Sequence, residues 1–368
     1  MSFTLTEIKK GVRNYGLYKD KYVHSDQNDN IFFDEKLIIN DADGASIFNI
    51  NESLIQILDK EKGCYYFNGN LVRSKFFIIE SSQTLTLLAT SAGRRITRGV
   101  YERDVVVLNN DLQNSSKQIL KNTKDNLIYY TNEFFLLGNK TNLNTYTLSS
   151  AEALWHFNLL DLGTYTPLHK QEQKPFEVGK FLGEWQNELL VACDGGLLLS
   201  INQESGVLTR QWQGLPKGAD DYLQNVFRGQ LPHQDYVYQL NLAKTRIEAF
   251  FLHYYFYIDL EGGTMHLINC QDNLKKYQIE QFKYSSAYAE DATHLYTKVT
   301  YDKGTLGTDY IPTGLCAFNK QTHEIDWQYR FDQHDDYLKT DNPQLSDNKL
   351  YQLSADKVLY IFEKEVDA

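Results

Sequence analysis

Phe318-Asn319-Lys320-Gln321-Thr322-His323-Glu324-Ile325-Asp326-Trp327 decides how this chain is read. A bulky apolar residue closes one strand, a polar run turns the chain, and a large aromatic at the tenth position begins the next strand. Tyr146 to Trp155 repeats the spacing, with Ser150 and Ala151 where the first copy has Thr322 and His323. Ile268 to Tyr277 repeats it again with Asp272-Asn273 at the turn, and Asn tolerates the left-handed backbone that a tight turn needs. Ile201-Asn202 leads through Ser205-Gly206 to Trp212, two residues late. An insertion of two preserves side-chain parity along a strand, so Trp212 still faces the same layer. Phe48-Asn49, Leu108-Asn109 and Phe362-Glu363 are thinner copies. Repetition at roughly 40 to 65 residues marks blades set around an axis. The expected fold is all-β: a single β-propeller of four-stranded blades, seven being the preferred count within a range of six to eight, with the tenth-position aromatics packed between neighbouring blades.

The pattern apolar-(Asn/Asp)-x-x-(Ser/Thr)-Gly-x-x-x-Trp, clearest at 146–155, 198–212 and 315–327, resembles the blade repeat of the quinoprotein (PQQ-like) propellers, which include the BamB-like repeats. His323, Ala151 and Asn273 stand where that superfamily places Gly. The resemblance implies the fold. Its dehydrogenase members would bring a vicinal cysteine pair, acidic and amide calcium ligands and an exported chain. Cys64, Cys193, Cys270 and Cys316 are all isolated, so the expectation is the fold without a cofactor.

Length and composition suit one domain spanning 1–368: six prolines, no low-complexity tract, and 26 Tyr with 20 Phe, side chains that fit a pleated, half-buried surface. Leu189–Cys193 and Leu197–Ile201 flank Asp194-Gly195-Gly196 as a hairpin, and Leu350–Leu353 pairs in the same way with Val358–Phe362. That last hairpin ends with the chain and lacks an outer strand. An N-terminal segment, Gly16-Leu17-Tyr18 through Lys21-Tyr22-Val23-His24, is expected to supply it and close the ring. The longest gap between repeats holds an insertion at about 213–246. Within it Gly218–Gly229 reads as a short helix, capped by Asp220 and stopped by Gly229, serving either as a binding element or as a plug on the blade ends.

Met1 to Gly16 carries Thr4, Thr6, Glu7, Lys9, Lys10 and Arg13 and no apolar run, which reads as no secretory signal. The apolar run 247–260 is broken by Glu248, His253 and Asp259. With isolated cysteines expected to be reduced, the expected compartment is the cytoplasm, with no membrane contact. The nine histidines have no His-x-x-x-His spacing and the cysteines no Cys-x-x-Cys, so no metal is expected. No Gly-x-Ser-x-Gly elbow or phosphate loop occurs, and Asn40-Asp41-Ala42-Asp43-Gly44 reads as a polar turn before a strand rather than a calcium loop. The candidate binding residues are Arg94, Arg95 and Arg98, with Arg103 beside them, whose forks suit a carboxylate or phosphate; Asp220, Asp221, Tyr222, Phe227 and Arg228 of the insertion; and Asp335 and Asp336.

With 48 acidic against 37 basic residues the chain carries a formal net charge of -11. That balance argues against nucleic acid, whose affinity comes from phosphate neutralisation, and suits a basic protein partner. The leading expectation is a non-enzymatic, cytoplasmic, protein-binding propeller, in its specific form an immunity or antitoxin-like inhibitor of a basic protein. Two alternatives stand beside it: a hydrolase or lyase acting on a sugar or small metabolite in the central channel, and a structural subunit of a larger assembly.

Overall fold

The computed structural model describes residues 2–365 outside 20, 43, 52–53, 60–62, 75, 82–86, 92–93, 98–99, 109–114, 124–126, 131–133, 148–149, 151, 168–171, 216–237, 283–287, 302–312 and 332–341; for 49–51, 63, the strands between 76 and 128, and 130 it describes the backbone alone. Among these residues the chain forms eight antiparallel sheets of four or five strands, plus a two-stranded ribbon. Sheets 1 to 4 lie in a compact unit, Gly11–Phe157, and sheets 5 to 8 in a second, Met1–Lys10 with Asn158–Ala368.

Each sheet is an up-and-down meander, inner strand to outer. Sheet 1 runs Asn14–Tyr18, Lys21–Ser25, Ile31–Phe33, Lys36–Ile39; sheet 2 runs Ser46–Asn51, Leu54–Asp59, Gly63–Phe67, Leu71–Ser74. Sheet 3 runs Phe76–Ser81, Leu87–Ser91 continued by Arg94–Thr97, Val100–Leu108, Ser115–Thr123; sheet 4 runs Leu127–Tyr130, Phe134–Gly138, Asn142–Thr147, Ala153–Asn158. Sheet 5 runs Val178–Trp185, Glu188–Cys193, Leu197–Asn202, Leu208–Gln213; sheet 6 runs Gln239–Leu240, Arg246–Phe251, Tyr254–Asp259, Thr264–Asn269. In sheet 7 a split inner strand, Gln281–Phe282 and Ala289–Glu290, precedes His294–Thr300, Gly314–Asn319 and Ile325–Arg330. Sheet 8 runs Gln344–Ser346, Lys349–Leu353, Val358–Lys364, and its outer strand is the N-terminal Phe3–Lys10.

The sheets correct the repeat. Every third strand ends on the apolar member of an apolar-polar pair (Phe33-Asp34, Phe67-Asn68, Leu108-Asn109), on its polar member (Tyr146-Thr147, Ile201-Asn202, Ile258-Asp259, Phe318-Asn319) or, in sheet 8, just after it (Phe362-Glu363). Eight sheets therefore stand where seven blades were expected. Phe48 lies instead in the inner strand of sheet 2, and Ile268-Asn269 ends the outer strand of sheet 6. Behind Ile268 comes a helix, Gln271–Lys276, so Asn273 is helical and Tyr277 caps the helix rather than starting a strand.

The polar member of the pair has a mechanical task. Asn202 Oδ1 accepts from the Ser205 amide at 2.9 Å, Asn319 Oδ1 from the Gln321 and Thr322 amides at 2.9 and 3.1 Å, and Asp259 Oδ1 from the Glu261 amide at 3.2 Å. Each carboxamide or carboxylate thus caps its own turn. Four residues on, Gly206, Gly263 and His323 adopt φ of 69°, 67° and 58° and return their N–H to the carbonyls of Asn202, Asp259 and Asn319. That left-handed position explains the Gly of the pattern, and His323 takes it with a Cβ.

Neighbouring sheets bury their faces against each other. Ile247, Ala249 and Phe251 face a cluster with Trp185, Leu190, Leu198 and Trp212 of sheet 5, while Phe250, between them, faces Phe282, Leu295 and Phe318 of sheet 7. Strands buried on both faces read as continuous apolar runs, as Leu189–Cys193 does. Among the described residues, hydrogen bonds clasp sheets 5, 6 and 7, or the helix that follows one of them, to the third-to-fourth turn or outer strand of the next. Trp212 Nε1 donates to Gly263 O at 2.9 Å and Arg210 to Leu260 O; Asn273 Nδ2 donates to His323 O at 2.9 Å; Trp327 Nε1 donates to Phe3 O at 3.1 Å. The expected inter-sheet role of Trp212 and Trp327 is therefore met. All four cysteines are buried and unbridged. No helix among the described residues is long and apolar enough to cross a membrane.

The N-terminus does complete the last sheet, but through Phe3–Lys10, paired from Phe3↔Lys364 to Lys10↔Val358. Gly16–Tyr18 and Lys21–His24 build the first hairpin of sheet 1 instead. Phe3 decides this: its ring lies 5.5 Å from Tyr296 and 5.2 Å from Trp327, filling the core between sheets 7 and 8. Deleting residues 2–10 uncovers the Val358–Lys364 edge and empties that core. The truncated chain is expected to melt at lower temperature and to elute as larger species on size exclusion, whereas Phe3→Ala alone costs about 3 kcal/mol without the change in elution.

Candidate functional site

In a four-stranded meander the second-to-third connection and the connection from the outer strand to the next sheet leave from one end, and the other two turns from the opposite end. Asp220, Asp221, Tyr222, Phe227 and Arg228, with the helix expected at 218–229, lie outside the described residues, as do Asp335 and Asp336. The strands flanking them show that both segments are sheet-to-sheet connections, from sheet 5 to 6 and from sheet 7 to 8. Arg94 and Arg95 pair through their backbone with Glu102 and Tyr101, and Arg103 pairs with Thr123, so these arginines sit on a long hairpin and not in a loop. Their side chains, and Arg98 altogether, lie outside the described residues.

At the same end of sheet 7, where its second and fourth strands finish, the described side chains form an open cleft of about 200 Å³ lined by Lys276, Tyr277, Gln278, Tyr301, Gln328 and Arg330. Tyr301 is its floor. Its hydroxyl donates to Gln328 Oε1 at 2.7 Å, and the Arg330 guanidinium lies 4.9 Å from its ring centre. The ring fits only because position 314 is glycine: a Cβ there would stand 2.3 Å from Tyr301 Cε2 and 2.7 Å from Tyr329 O. Burial pushes the Tyr301 phenol far above its ordinary value, with Cys316 adding to the rise and Arg330 opposing it, so it serves as a neutral donor. On the other wall, the helix carbonyls of Leu274 and Lys275 accept from the amides of Tyr277, Gln278 and Ile279. Lys276 reaches Glu324 at 3.7 Å, an exposed pair. None of these six residues was singled out as a binding residue by sequence; they are spread from 276 to 330 without a motif.

The opposite end of sheet 7 is locked by a network that sequence reading also missed. Asp291 accepts from the Thr293 and His294 amides at 2.8 Å each, from Tyr296 Oη at 2.5 Å, and from Lys364 Nζ of sheet 8 at 3.0 Å. His294 Nε2 donates to Asp326 Oδ2 at 2.8 Å, and Asn319 Nδ2 donates to the same oxygen at 3.0 Å. Burial opposes the Asp291 charge, but the Tyr296 hydroxyl, the two amides and Lys364 outweigh it and hold the carboxyl well below its ordinary value. Glu248 is the reverse case. It is wholly buried between sheets 6 and 7, meets Tyr288 Oη at 3.3 Å, and burial raises its carboxyl above the ordinary value. Nearby, Lys320 pairs with Glu290, whose Oε1 accepts from the Leu242 amide at 2.7 Å. Among the described residues, no three His, Cys, Asp or Glu converge to hold a metal ion.

No protein-family model matches the chain. No curated protein matches it in sequence either. Solved structures do match. Saccharomyces cerevisiae Sqt1 is 10% identical over 100% of this chain and 99% of that one, with a TM-score of 0.57. The C-terminal WD40 domain of Sif2 is 9% identical over 99% of both chains, also at 0.57. BamB from Moraxella catarrhalis is 10% identical over 98% of this chain and 99% of its own, at a TM-score of 0.46, too slight to build on. The class is thereby defined as an all-β β-propeller.

Two outcomes are expected. A carboxyl held below its ordinary value of 3.8 supports the fold above that pH and ceases to as the pH falls through its folded value; one held above its ordinary 4.5 supports the fold below that pH and ceases to as the pH rises through its folded value. Asp291→Asn should therefore cost about 1.5–3 kcal/mol at neutral pH and shrink the acid-side loss of stability, while Glu248→Gln should reduce the fall in Tm as the pH rises above the ordinary carboxyl value of 4.5. Gly314→Ala should displace Tyr301 and lower the Tm, and Tyr301→Phe should leave the backbone intact; thermal melts across pH read all four variants.

Proposed function

We propose that this propeller, built from PQQ-like repeats, is a cytoplasmic, non-enzymatic protein that binds another protein through the connections at one end of its blades, in the manner of an immunity or antitoxin-like inhibitor of a basic partner. What carries this reading is how the described acid and base groups are spent. His294 and Asp326 hold each other, Asp291 ties sheet 7 to sheet 8, and Lys320 neutralises Glu290. Asp194 accepts from Tyr165 Oη at 2.7 Å and the Glu177 amide at 2.8 Å. Their partners make these side chains structural.

The capped turn with a left-handed fifth residue supports the PQQ-like assignment, since Ser205-Gly206 carries the family's residues at those positions. The formal net charge of -11 supports a basic partner over nucleic acid, because like charge slows an encounter and opposite charge speeds it. Capture from the native host with the full tagged chain at about 0.15 M and about 0.5 M salt tests the reading. A basic protein should be recovered, with an association rate at least several-fold lower at the higher salt. Recovery of the chain alone at micromolar concentration would overturn it.

A further inference from the structure

We infer that Asn68 is a site of self-catalysed covalent modification, at which the backbone nitrogen of Gly69 displaces the side-chain amide as ammonia and water then leaves aspartate or isoaspartate in its place. The site needs no partner and does not depend on the protein-binding reading. Asn68-Gly69 is the only Asn-Gly in the chain. It falls in the turn between the paired Phe67 and Leu71 of sheet 2, where Asn68, Gly69 and Asn70 are all exposed, so water reaches the reacting atoms. The fold requires this glycine: its φ is 95°, and a Cβ on it would stand 3.2 Å from Tyr18 Oη. A side chain that would shield position 68 is therefore refused by the turn itself.

The turn also activates the group under attack. Asn68 Oδ1 accepts from the Asn70 amide at 3.2 Å, while the Asn68 amide donates to Asn70 O at 3.2 Å. The Asn70 N–H thus points at the oxygen on which negative charge develops when the Gly69 nitrogen, giving up its proton to hydroxide, adds to Cγ. The Cγ–Nδ2 bond then breaks, ammonia leaves with a proton taken from water, and a five-membered cyclic imide remains. Water opens that ring at Cγ to give aspartate, or at the backbone carbonyl to give isoaspartate. The sum is one water consumed and one ammonia released, with no oxidant. Asn202 and Asn319 cap their turns in the same way, but Gln203 and Lys320 follow them, and a Cβ on the attacking residue hinders its approach to Cγ. The two products differ in effect. Aspartate keeps an oxygen for the Asn70 amide, whereas isoaspartate carries the main chain through Cγ, lengthens it by one carbon and breaks the register that pairs Phe67 with Leu71.

The full chain is held folded for days at neutral and at mildly alkaline pH, and the products are read by ammonia release and by peptide mapping that separates aspartate from isoaspartate. Both should accumulate at position 68, faster at the higher pH, and at least about tenfold ahead of any product at Asn202 or Asn319. Equal accumulation at either of those two overturns the inference. Gly69→Ala would strain the turn as well as slow the attack, so the informative variant is Asn68→Ser, whose hydroxyl still caps the turn and has no amide to lose; it should release no ammonia from this segment. The same chain in denaturant supplies the intrinsic rate at 68. A folded rate within about tenfold of it supports the inference, and a slower one, in which the turn shields its own asparagine, overturns it. In the isoaspartate fraction the amides of Leu71–Ser74 should exchange with solvent at least about tenfold faster than in the unmodified chain.

Discussion

Burial of one sheet's face against the next is the constraint on which the rest of the structure depends. Leu189–Cys193 and Leu197–Ile201 are buried throughout, which is possible only where both faces of a sheet are covered. At about 25 cal/mol per Å² of apolar area, a single buried Phe or Trp outweighs the roughly 1 kcal/mol net value of any clasp between sheets. The clasps then do a different job. Trp212, Asn273 and Trp327 each present one donor to one carbonyl of the adjoining sheet, so sliding the sheets against each other would strand a buried N–H. Apolar burial supplies the energy and these few directed bonds select the register.

The same division explains the contrast between the two ends of sheet 7. At the turn end, Asp291, His294, Asp326 and Lys364 close on one another and are held in a single arrangement spanning two sheets. At the connection end, Lys276, Tyr301, Gln328 and Arg330 line an open cleft. A binding surface gains when its scaffold does not deform as the partner arrives, because ordering entropy is then not lost at that moment. Glu248 marks the limit of the logic: burial disfavours its charged form by more than the Tyr255 and Tyr288 hydroxyls and Lys320 offset, and its carboxyl is raised above the ordinary value.

How far the sequence could be read follows from what each residue does. Phe318-Asn319, Ile201-Asn202 and Tyr146-Thr147 were legible because apolar closure, a turn-capping side chain and a tenth- or twelfth-position aromatic coincide. Ile258-Asp259 escaped because its tenth position is Leu267, and Phe33-Asp34 because its turn is only two residues long, with Asp34 and Glu35 at φ of 48° and 64°. Ile268-Asn269 misled for a physical reason: Asn269 Oδ1 does accept from the Gln271 amide at 2.9 Å, but what it starts is a helical turn. The closing strand was hidden because its apolar alternation is short, Phe3 and Leu5 before a bulge. The cleft could not be found from sequence at all, since Gly314 and Tyr301 signal each other only once their strands pair.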